Sequence, residues 1–405
     1  MTTICPPAIV IGGKENALSV ARSLGRRGIR VLSLAGPGKP IQHSRYSEPI
    51  ALGSGESCAE GWARFLLGQA SEPLRGAVLL ACDDEAIEIV VRHREALSRK
   101  FLLEERVEEP SLRVLDKLDT YREAAAAGVP TPRFWHLKTE VELDLHAEEF
   151  TFPMVIKPLL THRFERAFGK KYVGVEDYEQ LQAEFARVTE LGFDVVLMEF
   201  VPGGDDKLCS YYTYLGENGE AELHFTKRII RRYPTHQGGG CAHITDWNPE
   251  AAEFGLRFMQ AVGLRGLGNV EFKRDDRDGE LKLIECNARF TAANCLVTAS
   301  GFDLAAFVYS RLTGGAPVPM KSYRRGLRLW APIRDFMAFL ELREDGVLSF
   351  PRWIASVLHR QTFPYFSWSD PLPSIVIFRR GIADLLRSVP RRLGDMLGRL
   401  REGPA

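Results

Sequence analysis

The chain has 405 residues, 45% hydrophobic and 26% charged, and 53 Lys plus Arg balance 53 Asp plus Glu to a formal net charge of +0. That length allows two or three domains with cores of their own, and the neutral balance excludes the basic footprint of a nucleic-acid binder. Seven scattered cysteines (Cys5, Cys58, Cys82, Cys209, Cys241, Cys286, Cys295) without C-x-x-C spacing exclude a disulfide frame and a zinc site, and point to reduced thiols in the cytoplasm. No basic-then-apolar leader and no apolar run near the ~18 residues of a membrane span is expected.

In chain order, Ala8 to Ile11 reads as a buried strand, Gly12-Gly13 as a turn, and Leu18, Ala21 and Leu24 as the apolar face of a helix that leads to a second strand, Val31 to Leu34. This is a βαβ opening. Its glycine turn could hold a phosphate, but G-x-G-x-x-G spacing is absent, so a dinucleotide site is the weaker reading. Gly76 to Cys82 gives another strand, and Asp83-Asp84-Glu85 then caps a helix or lines a cleft mouth. After Asp116-Lys117 a helix runs to Gly128, and Pro130 and Pro132 mark a domain boundary.

Phe152 to Pro158 is a buried strand ending in Lys157. An ammonium there suits a polyanion such as phosphate; the plain alternative is a stem that snorkels to water. Thr161 to Lys171, with Arg163, Arg166, Lys170 and Lys171, reads as a basic flap or a solvated loop. Val195 to Asp206 is a strand running into a turn, able to offer backbone groups to an adenine edge and an acid to a ribose. Lys227, Arg228, Arg231 and Arg232 precede Gly238-Gly239-Gly240, where cations could hold a carboxylate substrate and a developing phosphoryl charge.

The most informative stretch is Gly268 to Arg289. It reads as a β-hairpin whose loop, Arg277-Asp278-Gly279, places Glu271 opposite Glu285 and Asn269 opposite Asn287. Opposed carboxylates repel unless a cation lies between them, and two carboxylates with an amide suit Mg²⁺ and nucleotide phosphate better than a closed Ca²⁺ cage. An exposed hairpin with solvated charges is the alternative. Cys286 has no base in pairing distance by spacing and reads as a packed strand residue.

In the order and spacing of these motifs, residues 1–315 resemble the ATP-grasp carboxylate–amine ligases, in the branch similar to D-aspartate ligases. The motifs are Asp116-Lys117 with Ala127 to Pro132, the Phe152–Pro158 strand, the Met198–Asp206 turn, and Glu271 with Glu285-Cys286-Asn287-Ala288-Arg289. The resemblance implies an α/β ATP-grasp fold: a parallel-sheet pre-ATP-grasp domain (1–115), a small lid (116–200), a larger catalytic subdomain (201–315) and a C-terminal extension (316–405). It implies ATP and Mg²⁺ as cofactors, with Mn²⁺ as a substitute, and a carboxylic acid and an amine as substrates. Lys117, Lys157 and Lys171 would hold phosphates, Glu199, Phe200 and Val201 the adenine edge, Val155 and Ile284 the adenine faces, and Asp206 the ribose. Glu271, Glu285 and Asn287 would bind the metal, while Arg289, with Lys227 and Arg231, would face the reacting groups.

From Gly381 a basic amphipathic pattern (Ile382, Leu385, Leu386, Val389, Leu393 among Arg387, Arg391 and Arg392) suits packing on its own domain or, less readily because of Pro390, an anionic membrane face. An oligomer is compatible with the sequence, and no nucleic-acid partner is expected.

Overall fold

The computed structural model describes residues 5–53, 57–159, 164, 168, 172–315, 320 and 322–382. Three sheets organise them. In the first, β1 (Ala8–Ile11), β2 (Val31–Leu34), β3 (Glu48–Pro49) and β4 (Val78–Ala81) pair in parallel in the order β3-β2-β1-β4. The opening βαβ unit is present, with the helix Glu15–Gly25 between β1 and β2. β1, β2 and β4 are buried at every position because both faces of the sheet are covered there, while the edge strand β3 is exposed.

The second sheet is antiparallel, ordered β5-β8-β6-β7, from β5 (Phe134–Trp135), β6 (Met154–Pro158), β7 (Val173–Val175) and β8 (Val195–Glu199). Alternation gives it two faces. Met154, Ile156 and Leu197 pack with the helix Tyr178–Glu190, whereas Val155 and Met198 turn towards the third sheet and share a core with Val270, Phe272 and Leu283. Phe164 and Phe168, at the centre of the sequence flap, stack at 4.2 Å and pack on Phe193.

The third sheet has seven strands: β9 (Leu208–Leu215), β10 (Phe225–Tyr233), β11 (Gly239–Asp246), β12 (Gly266–Arg274), β13 (Leu281–Asn287), β14 (Arg328–Trp330) and β15 (Gln361–Thr362), ordered β13-β12-β9-β10-β11-β14-β15. One face, through Tyr212, Tyr214 and Phe225, packs on the first sheet's domain; the other packs on the helix Pro249–Ala261. The stretch 316–405, expected as an extension beyond the core, therefore supplies β14 and β15 to this sheet. It also supplies a buried tie at each side. Asp335 receives Arg231, and Asp370 receives Arg22 (Nε to Oδ2, 2.9 Å), Ser44 and the Arg45 amide. Residues 372–382 are helical, and the basic pattern from residue 383 onward lies outside the described residues, as does Lys171. Among the described residues no helix is long and apolar enough to cross a membrane.

Candidate active site

The hairpin β12–β13 has the expected pairing, Glu271 with Glu285 and Asn269 with Asn287, but it gets there by another route. The loop is not the three residues Arg277 to Gly279. The Asp275 amide donates to the Glu280 carbonyl and the Gly279 amide to the Asp275 carbonyl, so the turn is one residue out of step with the expected centre. Buried Asp275 sets that turn, accepting from the Arg277 amide (2.9 Å) and Lys282 Nζ (2.8 Å). Near the loop Phe272 pairs with Leu283, and one extra residue, Ile284, then restores the register of the two glutamates. A bulge beside a site re-aims side chains, and here it puts both carboxylates on one face.

That face carries a row across four strands. Glu285 opposes Glu271, Glu271 opposes Ser210 on β9, and Ser210 opposes Lys227 on β10. Lys227, 2% exposed, donates to Ser210 Oγ at 3.0 Å; burial lowers its pKa and the Glu271 charge resists that shift. Asn287, next along β13, donates to Asn269 Oδ1 at 3.4 Å. Among the described residues no group of three or more His, Cys, Asp or Glu forms a closed metal cage. Two opposed carboxylates with a neighbouring amide still fit an ion that keeps its other positions for water and phosphate, which is the habit of Mg²⁺.

Across the cleft, Lys157 ends β6 and donates to the Tyr121 hydroxyl at 3.0 Å, its ammonium 5.7 Å from the ring centre. Burial pulls its pKa down to about 8, Glu285 opposing and Arg232 adding to the shift. Lys117 opens the helix Lys117–Ala126, which Asp116 caps by accepting from the amides of Leu118 and Asp119. With Asp84, Tyr121, Ile284 and Glu285 it lines a small cavity. Arg289 pairs with Asp84 (2.6 Å); burial alone would lower its pKa, but Asp84 and Glu285 outweigh that and push it up.

Other expected residues lie outside this row. Arg231 does not face the cleft: its guanidinium is buried, bidentate to Asp335 (2.6 and 3.1 Å) and bonded to Ser356, because a bulge in β10 after Ile229 turns it towards the helix Pro332–Glu344. The Glu199 side chain is likewise committed, bridging Arg133 and Arg277. The Val201 carbonyl accepts from Lys273 Nζ at 2.7 Å, and that ammonium lies 4.9 Å from the centre of the Phe200 ring. Val155 is buried in the shared core, Ile284 is partly exposed at the bulge, and Asp206 is exposed while its neighbour Asp205 is buried against Arg232. Asp83 caps its helix by accepting from the Ala86 amide at 2.9 Å and accepts from the Gly13 amide at 3.0 Å, filling the glycine turn where a phosphate was the weaker expectation.

Sequence reading gave no role to Lys273 or Tyr121, and named Arg232 only within a run of cations on β10. Lys273 is 4% exposed with a pKa lowered to about 8, first by burial and then by Arg232. The signal for it was available: it follows Glu271 by two on a strand and so shares its face.

No protein-family model matches the chain. The D-aspartate ligase of Enterococcus faecium (strain Aus0004) is 24% identical over 365 residues, covering 84% of this chain and 86% of that protein. The D-alanine--D-alanine ligase of Anaplasma marginale (strain Florida) is 27% identical over 186 residues, 43% of this chain and 51% of that one. Among solved structures, the N5-carboxyaminoimidazole synthetase of Staphylococcus aureus complexed with ADP superimposes with a TM-score of 0.61 at 16% identity, covering 84% of this chain and 86% of that chain. The L-amino acid ligase of Bacillus licheniformis does so with a TM-score of 0.56 at 18% identity and 78% coverage of each. With three sheets in this arrangement the chain has the ATP-grasp fold of these enzymes, and its sequence is similar to a D-aspartate ligase through most of both chains.

Proposed function

We propose that the protein is an ADP-forming carboxylate–amine ligase that makes an amide or peptide-like bond through an acyl phosphate. The observation that carries this reading is the row Glu285, Glu271, Ser210, Lys227 facing Lys157 across the cleft: a pair of acids for a metal between the buried ammonium of Lys227 and the half-buried one of Lys157, both suited to anions. MgATP supplies the phosphoryl group that activates an otherwise poor acyl donor. Glu271, Glu285 and Asn287 are suited to hold the ion. Lys157 and Lys117 neutralise phosphate oxygens, and Lys273 and Arg232 add positive potential at the same end.

A carboxylate oxygen attacks the γ-phosphorus, the bond to the bridging oxygen breaks and ADP leaves. An amine nitrogen then attacks the acyl carbon, phosphate departs and the nitrogen gives up a proton. Lys227 and Arg289 flank the carboxylates and balance the charge that develops on the acyl oxygens. No side-chain nucleophile is needed, and the buried Cys286 thiol, its pKa pushed up by burial, is not one.

ADP release screened over acid–amine pairs, with product mass, identifies the substrates. Hydroxylamine added with the correct acid should give a hydroxamate together with ADP and phosphate. AMP and pyrophosphate would place the enzyme in an adenylating class, and nucleotide binding without turnover for any pair would mark a regulator instead.

A further inference from the structure

We propose that Tyr121 is a positioning residue that sets the distance between Lys157 and the metal-binding hairpin. This rests on the ligase reading above and adds a residue that neither the motifs nor the relatives assign.

The argument starts at the bulge. Leu283 and Glu285 are paired with Phe272 and Glu271, so Ile284 between them is the residue the ladder skips. A carbonyl left out of a ladder and partly withdrawn from water is best satisfied by another donor. The Tyr121 hydroxyl provides it, donating to the Ile284 carbonyl at 2.8 Å, and the same oxygen accepts from Lys157 Nζ at 3.0 Å. A phenol has one proton to give, so the two bonds fix its polarity: the proton points to the hairpin and a lone pair to the ammonium. Burial holds that phenol neutral, its pKa raised chiefly by loss of solvent.

Two hydrogen bonds therefore connect the ammonium of Lys157, on the second sheet, to the backbone one residue before Glu285, on the third. Tyr121 is 1% exposed and belongs to neither sheet; it projects from the helix Lys117–Ala126, whose first residue, Lys117, shares the cavity with Glu285. Its ring also packs on Phe134 at 5.5 Å, which limits its freedom to follow a displaced lysine. A flexible four-carbon stem alone would let the ammonium wander; the hydroxyl holds it at one place relative to the carboxylate across the cleft.

The test is a double-mutant cycle on MgATP affinity and steady-state kinetics with Tyr121→Phe, Lys157→Met and the double variant. Phe keeps the ring and its packing and removes only the oxygen. Tyr121→Phe should weaken MgATP and raise its KM about tenfold, the order expected for a hydrogen bond to a charged group, and should do nothing further once Lys157 is already Met. A change of equal size in both backgrounds, or a loss of thermal stability with unchanged affinity, would mean that Tyr121 is a packing residue and overturn the proposal. If Lys157→Met itself binds MgATP as the parent does, the phosphate reading of the site fails first and takes this proposal with it. A silent Tyr121→Phe beside a weakened Lys157→Met overturns the positioning role alone.

Discussion

Two regions of this molecule neutralise the charges they withdraw from water differently. In the C-terminal tie, Asp335 accepts both nitrogens of Arg231 and the indole N–H groups of Trp330 and Trp353, each at 2.9 Å, while Asp370 accepts Arg22, Ser44 and a backbone amide. In the cleft, Lys157 has a phenol, Lys227 a serine hydroxyl and Lys273 a carbonyl. Among the described residues none of these three ammoniums makes an ion pair. An ammonium withdrawn from water and hydrogen-bonded only to neutral oxygens is costly even with carboxylates nearby, and the cost falls when an anion makes direct contact. The tie is closed by ion pairs, whereas the three cleft ammoniums are held by hydrogen bonds to neutral oxygens.

The contrast is broken most directly at Asp335. Asp335→Ala leaves a buried guanidinium and two indole donors unanswered, and should destabilise the protein by about 3–5 kcal/mol in urea denaturation. Lys157→Met, which removes an unpaired ammonium, should cost no stability. Equal losses in the two variants would erase the distinction between structural and ligand-directed charge.

The same distinction explains what the sequence made legible. The first βαβ unit, the Lys157 strand and the two hairpin strands follow from local patterns: apolar runs, strand alternation and a glycine turn. Arg231 looked like Lys227 because both are cations on one strand before a glycine run, and nothing local reveals that a bulge rotates one of them. Its partner, Asp335, lies 104 residues away. Tyr121 was equally hidden, since its partners are a strand-end lysine and a carbonyl freed by a bulge. The hairpin register came out as expected although the loop did not, because the extra residue Ile284 compensates a turn shifted by one.

The carboxylate pair sharpens the comparison at smaller scale. Glu285→Gln should lower metal-dependent turnover roughly a hundredfold, the order seen when one preorganised electrostatic contact is removed. In EDTA its stability should stay within about ±0.5 kcal/mol of the parent or rise slightly, because a like-charge contact is relieved. Thermal denaturation with EDTA, Mg²⁺ and MgATP separates the cases. If the parent gains no more from MgATP than Glu285→Gln does, the pair is not a metal site.

The smallest effect expected is on pH. Lys157 and Lys273 each have a pKa lowered from 10.5 to about 8, in both cases first by burial. Between about pH 8 and 10.5 the unfolded chain therefore binds more protons at these positions than the folded one, and their contribution to stability rises with pH through that window. Binding behaves in the opposite sense. Phosphate oxygens favour the charged lysines, so MgATP affinity should decline above about pH 8, and complex formation there should take up protons. Calorimetry in buffers of different ionisation enthalpy reads that uptake directly. Lys157→Met should reduce it and leave the share due to Lys273. Proton uptake unchanged in Lys157→Met would show that this ammonium does not meet the phosphates, and its incomplete neutralisation would then have to be explained by the fold alone.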